Sequence, residues 1–241
     1  MAQVIERPAL LVIVRHAESE RNAAKKGNVY FPDEESAACV KGVPDHETSI
    51  TPKGVMQAWI TGRHICRRFG VFDVVYDSGY LRTEQTRNEI LKAYTSQELA
   101  EMKLRISDSI RERDTGYTYD MTTEEAHRHF PWIKEYFKEF GYFYARPPGG
   151  ESQSDVCERV YRFIGNLFSV RAGKKVLVVT HGGTARAFRY NLEKWTGKTY
   201  VEKLEEASLK NCGLIVYRYN PDTGRLELQE HGTTFWKEKG Q

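Results

Sequence analysis

The chain lacks the cysteine pattern of a disulfide-rich or zinc-binding protein. Its four cysteines, at positions 39, 66, 157 and 212, are far apart and form no Cys-x-x-Cys pair. Small domains held by disulfides, and structural zinc sites, both need closely spaced cysteines. We therefore interpret these cysteines as reduced thiols, which are typical of a reducing compartment.

Long hydrophobic runs are also missing. No stretch approaches the roughly 18 apolar residues that a membrane-spanning helix requires. The first residues, MAQVIERPALLVIVRH, place two charges ahead of a short apolar run and contain no small-residue cleavage site typical of a signal peptide. The sequence predicts a cytoplasmic protein with no membrane partner.

The chain also lacks a large excess of charge of either sign. A net charge of +3 over 241 residues is too small to indicate a nucleic-acid partner, although a local arginine cluster could serve a phosphorylated small molecule. Hydrophobic residues make up 40% and charged residues 29% of the chain, a balance typical of a globular protein with a buried core. No repeat or low-complexity tract interrupts it, and the length fits one sizeable domain.

Short apolar runs alternate with amphipathic helical patterns along the chain. Residues 10–14 and 176–179 are rich in β-branched side chains and typical of strands buried on both faces, and residues 71–76 form a third, more polar candidate. Helices are predicted over residues 51–69, 81–94, 152–171 and 184–195. This alternation predicts an α/β fold, with a mostly parallel sheet in a single domain and helices on both faces.

Two other segments have a different character. Residues 23–48 contain glycine, proline and charges of both signs, and they predict a long loop, which at that length is usually functional or mobile. Residues 214–231 contain two strand-like runs on either side of Asn-Pro-Asp-Thr-Gly, a pattern that predicts a C-terminal hairpin. If one strand of this hairpin lies at the edge of the sheet, it could pair with a second copy of the chain and form a homodimer.

Two of the predicted strands end at a histidine. His16, preceded by Arg15, follows the first run, and His181 follows the run at 176–179. Because the carboxyl ends of neighbouring parallel strands meet at one edge of a sheet, we expect both imidazoles there. Arg82 follows the third strand at the start of a predicted helix, so the same edge should collect two histidines and two arginines.

Such a cluster has a chemical rationale. Guanidinium groups match phosphate oxygens in shape and charge, so Arg15 and Arg82 could neutralise and orient a phosphoryl group. Their charge should lower the pKa of His16 and keep the imidazole neutral and nucleophilic. Since histidine can act as a covalent nucleophile, the cluster predicts phosphoryl transfer.

These residues also resemble a known pattern. RHAESERN at residues 15–22 resembles the RHG motif of the histidine phosphatase superfamily, the clan of phosphoglycerate mutases and fructose-2,6-bisphosphatases. Further signatures follow in the family's order, at residues 78–86, 112–116, 150–152 and 180–183. Each motif alone is weak, but the ordered set is specific. The resemblance implies a phosphoglycerate mutase-like fold, as a single histidine phosphatase domain over residues 1–241.

The resemblance implies a role for each catalytic candidate. His16 would attack phosphorus and become phosphohistidine, while Arg15, Arg82 and His181 would bind the phosphoryl oxygens. Glu112 would protonate the leaving oxygen and then assist the attack of water. Because arginines supply the positive charge, neither a metal nor a cofactor is expected.

Three other residues are candidates for substrate binding, of which the resemblance implies Asn22. Asn22 would add a hydrogen bond to the phosphate, and Gly182 would let the backbone approach the ligand, although any tight turn favours glycine. Arg21 could contact a second anionic group, or be a solvated surface charge. The same two interpretations are open for four further basic residues: Lys25, Lys26, Arg113 and Arg146.

Two departures from the family pattern bear on the reaction. Ala17 stands where many members have glycine, which should matter little. The interval between the acid segment and residue 150 is shorter than in cofactor-dependent mutases, which favours a site open to water. We therefore expect a phosphatase of a small phosphorylated metabolite. The alternatives are a 2,3-bisphosphoglycerate-dependent phosphoglycerate mutase and an inactive phosphoprotein-binding scaffold, which would not need Glu112.

Overall fold

Six strands form one sheet in the computed structural model, which describes residues 7–28 and 30–236. In chain order they are β1 (Leu10–Arg15), β2 (Val74–Asp77), β3 (Lys103–Ile106), β4 (Lys175–Thr180), β5 (Leu214–Asn220) and β6 (Arg225–Thr233). Their spatial order is β3-β2-β4-β1-β5-β6, in which β1 to β4 run parallel and the hairpin β5–β6 is antiparallel. The predicted α/β class with a mostly parallel sheet is confirmed.

Ten α-helices occur within the described residues: α1 (Glu20–Lys25), α2 (Glu34–Ala38), α3 (Pro52–Phe69), α4 (Leu81–Leu91), α5 (Ser96–Glu101), α6 (Thr123–His129), α7 (Ile133–Phe140), α8 (Gln153–Val170), α9 (Gly182–Leu192) and α10 (Gly197–Glu202). The ends of the long helices follow from local sequence. Thr51 caps α3 by accepting from the Gly54 N–H, with Pro52 at the first helical position. Ser152 and Asp155 form a capping box that starts α8.

Alternate residues of β1 enter two cores, one on each face of the sheet. Leu11 and Ile13 pack with residues of α8 and α9, whereas Leu10, Val12 and Val14 pack with residues of α3 and α4. The helices therefore cover both faces, and the carboxyl edge of the strands is left for polar side chains. In the part of the chain that is described, no helix has the length and apolar content to cross a membrane.

The segment 23–48 is not the continuous loop that we predicted. It contains the end of α1, the whole of α2 and a 3₁₀ turn at Asp45–Glu47. Asp33 caps α2 by accepting from the Ser36 N–H. A small buried apolar cluster, separate from the two main cores, is formed by Phe31, Ala37 and Val40. Helices this short contain too few apolar residues to produce a recognisable period in sequence.

Further differences concern a missed strand and element bounds: the strand predicted over residues 71–76 is β2 (Val74–Asp77), and α4 ends at Leu91 instead of residue 94. The strand β3 was not predicted, because all four of its residues are exposed at the sheet edge and form no apolar run. The helix α9 begins at Gly182, two residues earlier than predicted, with His181 as its N-cap residue.

Close packing of α3 against α4 depends on Gly62. A Cβ at this position would stand 2.5 Å from the carbonyl oxygen of Ile90, which is backbone and cannot rotate away. We expect Gly62→Ala to lower the free energy of unfolding by about 2 kcal/mol, because the helices must separate. Gly165 in α8 has open space around it, so Gly165→Ala should raise that free energy by up to about 1 kcal/mol. Urea unfolding measures both, and equal stability of the two variants would contradict the close approach.

Candidate active site

Two imidazoles meet at the carboxyl edge of the sheet. Because β1 and β4 pair in parallel with Arg15 opposite Thr180, the residues that follow, His16 and His181, emerge side by side. Their ring centroids lie 5.1 Å apart at an interplanar angle of 62°. Both side chains are buried. The structure thus brings together the two histidines that the strand ends predicted.

Hydrogen bonding fixes the tautomer of His16. Its Nδ1 lies 2.7 Å from the carbonyl oxygen of Ala17, which can only accept, so Nδ1 carries the proton and Nε2 keeps its lone pair. Burial, followed by the positive charges of Arg82 and Arg15, holds the pKa of His16 well below its ordinary value. The predicted direction is confirmed, although burial contributes more than the guanidinium charge on which the prediction rested.

Ser78 orients the second histidine. The Nε2 of His181 lies 2.8 Å from the Ser78 hydroxyl oxygen, which also lies 2.9 Å from the Thr83 hydroxyl oxygen. Burial, followed by the charge of Arg82, lowers the pKa of His181 well below its ordinary value. Its Nδ1 is buried and has no hydrogen-bond partner in residues 7–28 and 30–236. Buried polar atoms are normally paired, so this nitrogen is an exception among the described residues.

The two predicted arginines are placed differently. Arg82 is 3% exposed and borders the cavity described below. Arg15 does not border that cavity, and its Nη1 donates to the carbonyl oxygen of Leu209 at 2.5 Å. Burial lowers the pKa of Arg15, and the Glu112 carboxylate acts in the opposite direction. Arg15 also packs against Gly182, where a Cβ would stand 3.5 Å from the Arg15 Nε.

A cavity of about 270 Å³, the central cavity, opens beside His16. Of the predicted residues, five border it and three do not: Arg15, His181 and Gly182 lie outside its wall, and Gly183 borders it in place of Gly182. The full lining is His16, Ser19, Arg21, Asn22, Lys25, Asp45, Arg82, Glu112, Arg113, Thr115, Tyr142, Gln153, Gly183 and Arg186. With five arginines or lysines against two carboxylates, this lining favours an anionic ligand.

The four further basic residues whose role the sequence left open fall into two groups. Lys25 and Arg113 border the central cavity, whereas Lys26 and Arg146 do not. Lys26 is an exposed C-cap residue of α1. Arg146 is exposed and pairs with Asp155, with Nη2 to Oδ1 at 2.6 Å. In the described residues no group of three or more histidine, cysteine, aspartate or glutamate side chains could hold a metal ion.

Hydrogen bonds from Arg159 and to Glu151 connect the segment that contains Glu112 to α8. Arg159 donates from Nη2 to the Glu112 carbonyl oxygen at 3.1 Å and from Nε to the Glu151 carboxylate at 3.0 Å. The same carboxylate accepts from the Asp114 N–H at 3.0 Å. The Glu112 Oε1 itself accepts from the Arg113 N–H at 2.9 Å. Arg159 has no sequence signal, because it lies within an ordinary amphipathic helix.

Asp45 is a site residue that sequence reasoning missed. Its carboxylate lies 3.1 Å from the Arg82 Nη2 and 3.4 Å from the Arg21 Nη1, and Arg82 also donates to its carbonyl oxygen. The Asp45 carboxylate therefore pairs with the guanidinium group of Arg82, to which a phosphoryl group is expected to bind. The only available signal was the general rule that a long irregular segment is often functional.

Asn211 is a second missed residue, and it holds the start of the site together. Its Nδ2 donates to the His16 carbonyl oxygen at 2.9 Å and to the Asn22 Oδ1 at 3.0 Å. Asn22 in turn belongs to the capping box that Ser19 forms at the start of α1. Asn211 lies outside all of the recognised motifs, so no local pattern indicates it.

The sequence profile of the histidine phosphatase superfamily (branch 1) matches residues 11–232. The chain belongs to this superfamily.

Known proteins with different names resemble the chain. The 2,3-bisphosphoglycerate-dependent phosphoglycerate mutase of Methylobacterium radiotolerans is 30% identical over 216 residues, which cover 89% of this chain and 91% of the relative. Among solved structures, an alpha-ribazole phosphatase from Shigella flexneri has a TM-score of 0.71 at 17% identity, covering 95% of this chain and all of that one (100%). A phosphoserine phosphatase from Entamoeba histolytica has a TM-score of 0.67 at 20% identity, covering 93% and 97%. The predicted fold is thereby confirmed.

The Asp45 contacts predict competition between this carboxylate and a bound anion. We expect Asp45→Asn to tighten the binding of inorganic phosphate about tenfold, because a like charge beside the anion is removed. The inhibition constant of phosphate, or calorimetric titration, measures the effect. Asp222→Asn in the exposed β5–β6 turn makes the same change in net charge and should have no effect. Unchanged or weaker phosphate binding in Asp45→Asn would contradict the competition.

The pKa of Lys25 predicts that kcat/KM depends on pH. Burial, followed by the charge of Arg21, lowers the pKa of Lys25 to about 7. Its ammonium group is charged below that pH and neutral above it, so kcat/KM for a phosphomonoester should fall as pH rises through about 7. Lys25→Arg keeps the charge and should move this fall at least about one unit higher. Lys26→Arg, at the exposed neighbour, should leave the profile as in the wild type. Identical profiles for all three proteins would contradict the assignment to Lys25.

Proposed function

We propose that this chain is a phosphatase of small phosphorylated metabolites that works through a phosphohistidine on His16. One observation carries the proposal. A buried imidazole with its lone pair on Nε2 borders a cavity rich in positive charge, and the Glu112 carboxyl group belongs to the same wall. A nucleophile, an anion-binding lining and a proton donor are the parts that stepwise phosphoryl transfer requires.

In the first step the ester bond is exchanged for a bond to His16. The Nε2 lone pair attacks phosphorus, a P–N bond forms, and the bond between phosphorus and the leaving oxygen breaks. Glu112 gives its proton to that oxygen, so the product leaves as an alcohol. Arg82 and Arg15 offset the charge on the phosphoryl oxygens, and because the transition state is loose, this positioning supplies most of the rate.

In the second step water removes the phosphoryl group. The Glu112 carboxylate takes a proton from the water as its oxygen attacks phosphorus, and the P–N bond breaks. His16 recovers its lone pair and inorganic phosphate is released. Access of water to this step is supported by a groove of about 580 Å³ that shares Asp45 and Thr115 with the central cavity.

A 2,3-bisphosphoglycerate-dependent phosphoglycerate mutase is the second candidate. Its support is the name of curated relatives such as the Methylobacterium radiotolerans enzyme. The first chemical step would be the same, but the phosphoryl group would pass from His16 to a hydroxyl group of the substrate instead of water. The two candidates therefore differ only in the acceptor.

We also propose that the enzyme works in the reducing cytoplasm. The proposal is supported by the free state of all four cysteines. Burial raises the pKa of the thiols of Cys157 and Cys212 to about 12, which keeps both as unreactive core side chains.

Turnover of p-nitrophenyl phosphate tests the covalent mechanism. We expect His16→Ala to lower kcat by at least about a thousandfold, because the nucleophile is lost, whereas His129→Ala at an exposed histidine should have no effect. Rapid quenching with a ³²P-labelled ester should trap an acid-labile, alkali-stable label on His16. A label on serine, or no label during turnover, would refute the phosphohistidine. Incubation with 3-phosphoglycerate and 2,3-bisphosphoglycerate decides the acceptor: inorganic phosphate supports the phosphatase, and 2-phosphoglycerate without phosphate release supports the mutase.

A further inference from the structure

A second cavity of about 270 Å³ adjoins the central cavity. Three side chains, those of Arg113, Thr115 and Tyr142, border both cavities and form the boundary between them. The proposed function assigns no role to this second space. We call it the apolar cavity, because its far walls are largely hydrocarbon, contributed by Tyr30, Ile133, Phe137 and Pro147.

The shape of the apolar cavity comes from α7. Ile133 and Phe137 are four residues apart in this helix, so both lie on the same face, and Ile133 and Pro147 are buried. Among the described residues, no aspartate or glutamate borders the cavity, whereas Arg113, Lys134 and His127 do. Its chemistry therefore suits an aromatic or branched apolar group, neutral or negatively charged at its far end, and excludes a cationic one.

The boundary is held in place before any ligand binds. The Tyr142 hydroxyl oxygen accepts from the Gln153 Nε2 at 3.1 Å, and the Gln153 Oε1 accepts from the Tyr200 hydroxyl at 2.8 Å. Gln153 and Tyr200 are buried, so this chain of hydrogen bonds anchors Tyr142 to the core. A preformed wall lowers the ordering cost of binding.

The boundary also lies next to the proton donor. The Arg113 N–H donates to the Glu112 Oε1 at 2.9 Å, so an ester oxygen that receives the Glu112 proton must lie near Arg113. The carbon skeleton beyond that oxygen can continue past Arg113 and Tyr142 into the apolar cavity. The groove on the other route is bordered by Asp45, Asp114 and Asp120, which makes it the wetter and more acidic path.

We propose that the apolar cavity is the subsite for the leaving group, and that the substrates are monophosphate esters of aromatic or branched apolar alcohols. The phosphate would lie in the central cavity against His16 and Arg82, and the hydrocarbon part beside Ile133 and Phe137. This assignment rests on the proposed function, because it treats the central cavity as the phosphate site.

Two non-hydrolysable phosphonates test the subsite by binding alone. Calorimetry with 1-naphthylmethylphosphonate and methylphosphonate should show at least about tenfold tighter binding of the naphthyl compound, since only it fills the apolar cavity. Phe137→Ala should remove most of this preference while leaving methylphosphonate affinity unchanged, which also verifies that the variant is folded. Phe140→Ala is the matched control, because Phe140 lies on the same helix, is 55% exposed and does not border the cavity.

Turnover separates this inference from the proposed function. Phe137→Ala should lower kcat/KM for 1-naphthyl phosphate about tenfold and leave that for ethyl phosphate unchanged. Equal affinity of the two phosphonates, binding of neither, or a preference that Phe137→Ala leaves intact overturns the subsite. If the preference holds and neither ester releases phosphate, the subsite stands and the hydrolytic function fails. If both esters are hydrolysed and the variant loses nothing, the function stands and the subsite is wrong.

Discussion

The parallel pairing of β1 with β4 is the constraint on which the site depends. Register places Arg15 opposite Thr180, so one more residue on each strand brings His16 and His181 to the same point. Since side chains alternate between the faces of a strand, a slip of one residue would exchange the two cores and separate the rings. The apolar packing on both faces therefore specifies the position of the imidazoles.

Burial at this edge creates an electrostatic problem that the protein must solve. Arg82 is almost fully buried, and a buried guanidinium group without a partner costs several kcal/mol. Asp45 supplies that partner through an ion pair of 3.1 Å. The neutral state of His16 and His181 avoids adding further positive charge, because burial and Arg82 lower both pKa values. An anion that replaces Asp45 would satisfy the same guanidinium group, which makes ligand exchange at this position physically reasonable.

The sequence predicted the placement of site residues where that placement follows a local pattern. His16 and His181 each follow a buried apolar run, and Arg82 follows the third strand, so topology alone brings them to one edge. Asp45 and Asn211 contribute through tertiary packing, and neither stands at a strand end or within a recognised motif. The edge strand β3 and the short helix α2 were missed for a related reason, because elements with few buried residues contain no measurable period.

The same distinction bears on the proposed reaction. In it, the strand ends would bind and transfer the phosphoryl group, and they are constrained by the whole sheet. The acceptor and the leaving group would be selected instead by segments that pack on the sheet edge, here the 3₁₀ turn at Asp45–Glu47 and the helix α7. Those segments contribute few side chains to the main cores, so substitutions in them should cost little stability. Substrate choice in this chain should therefore be altered more readily through Phe137 than through any residue of β1 or β4.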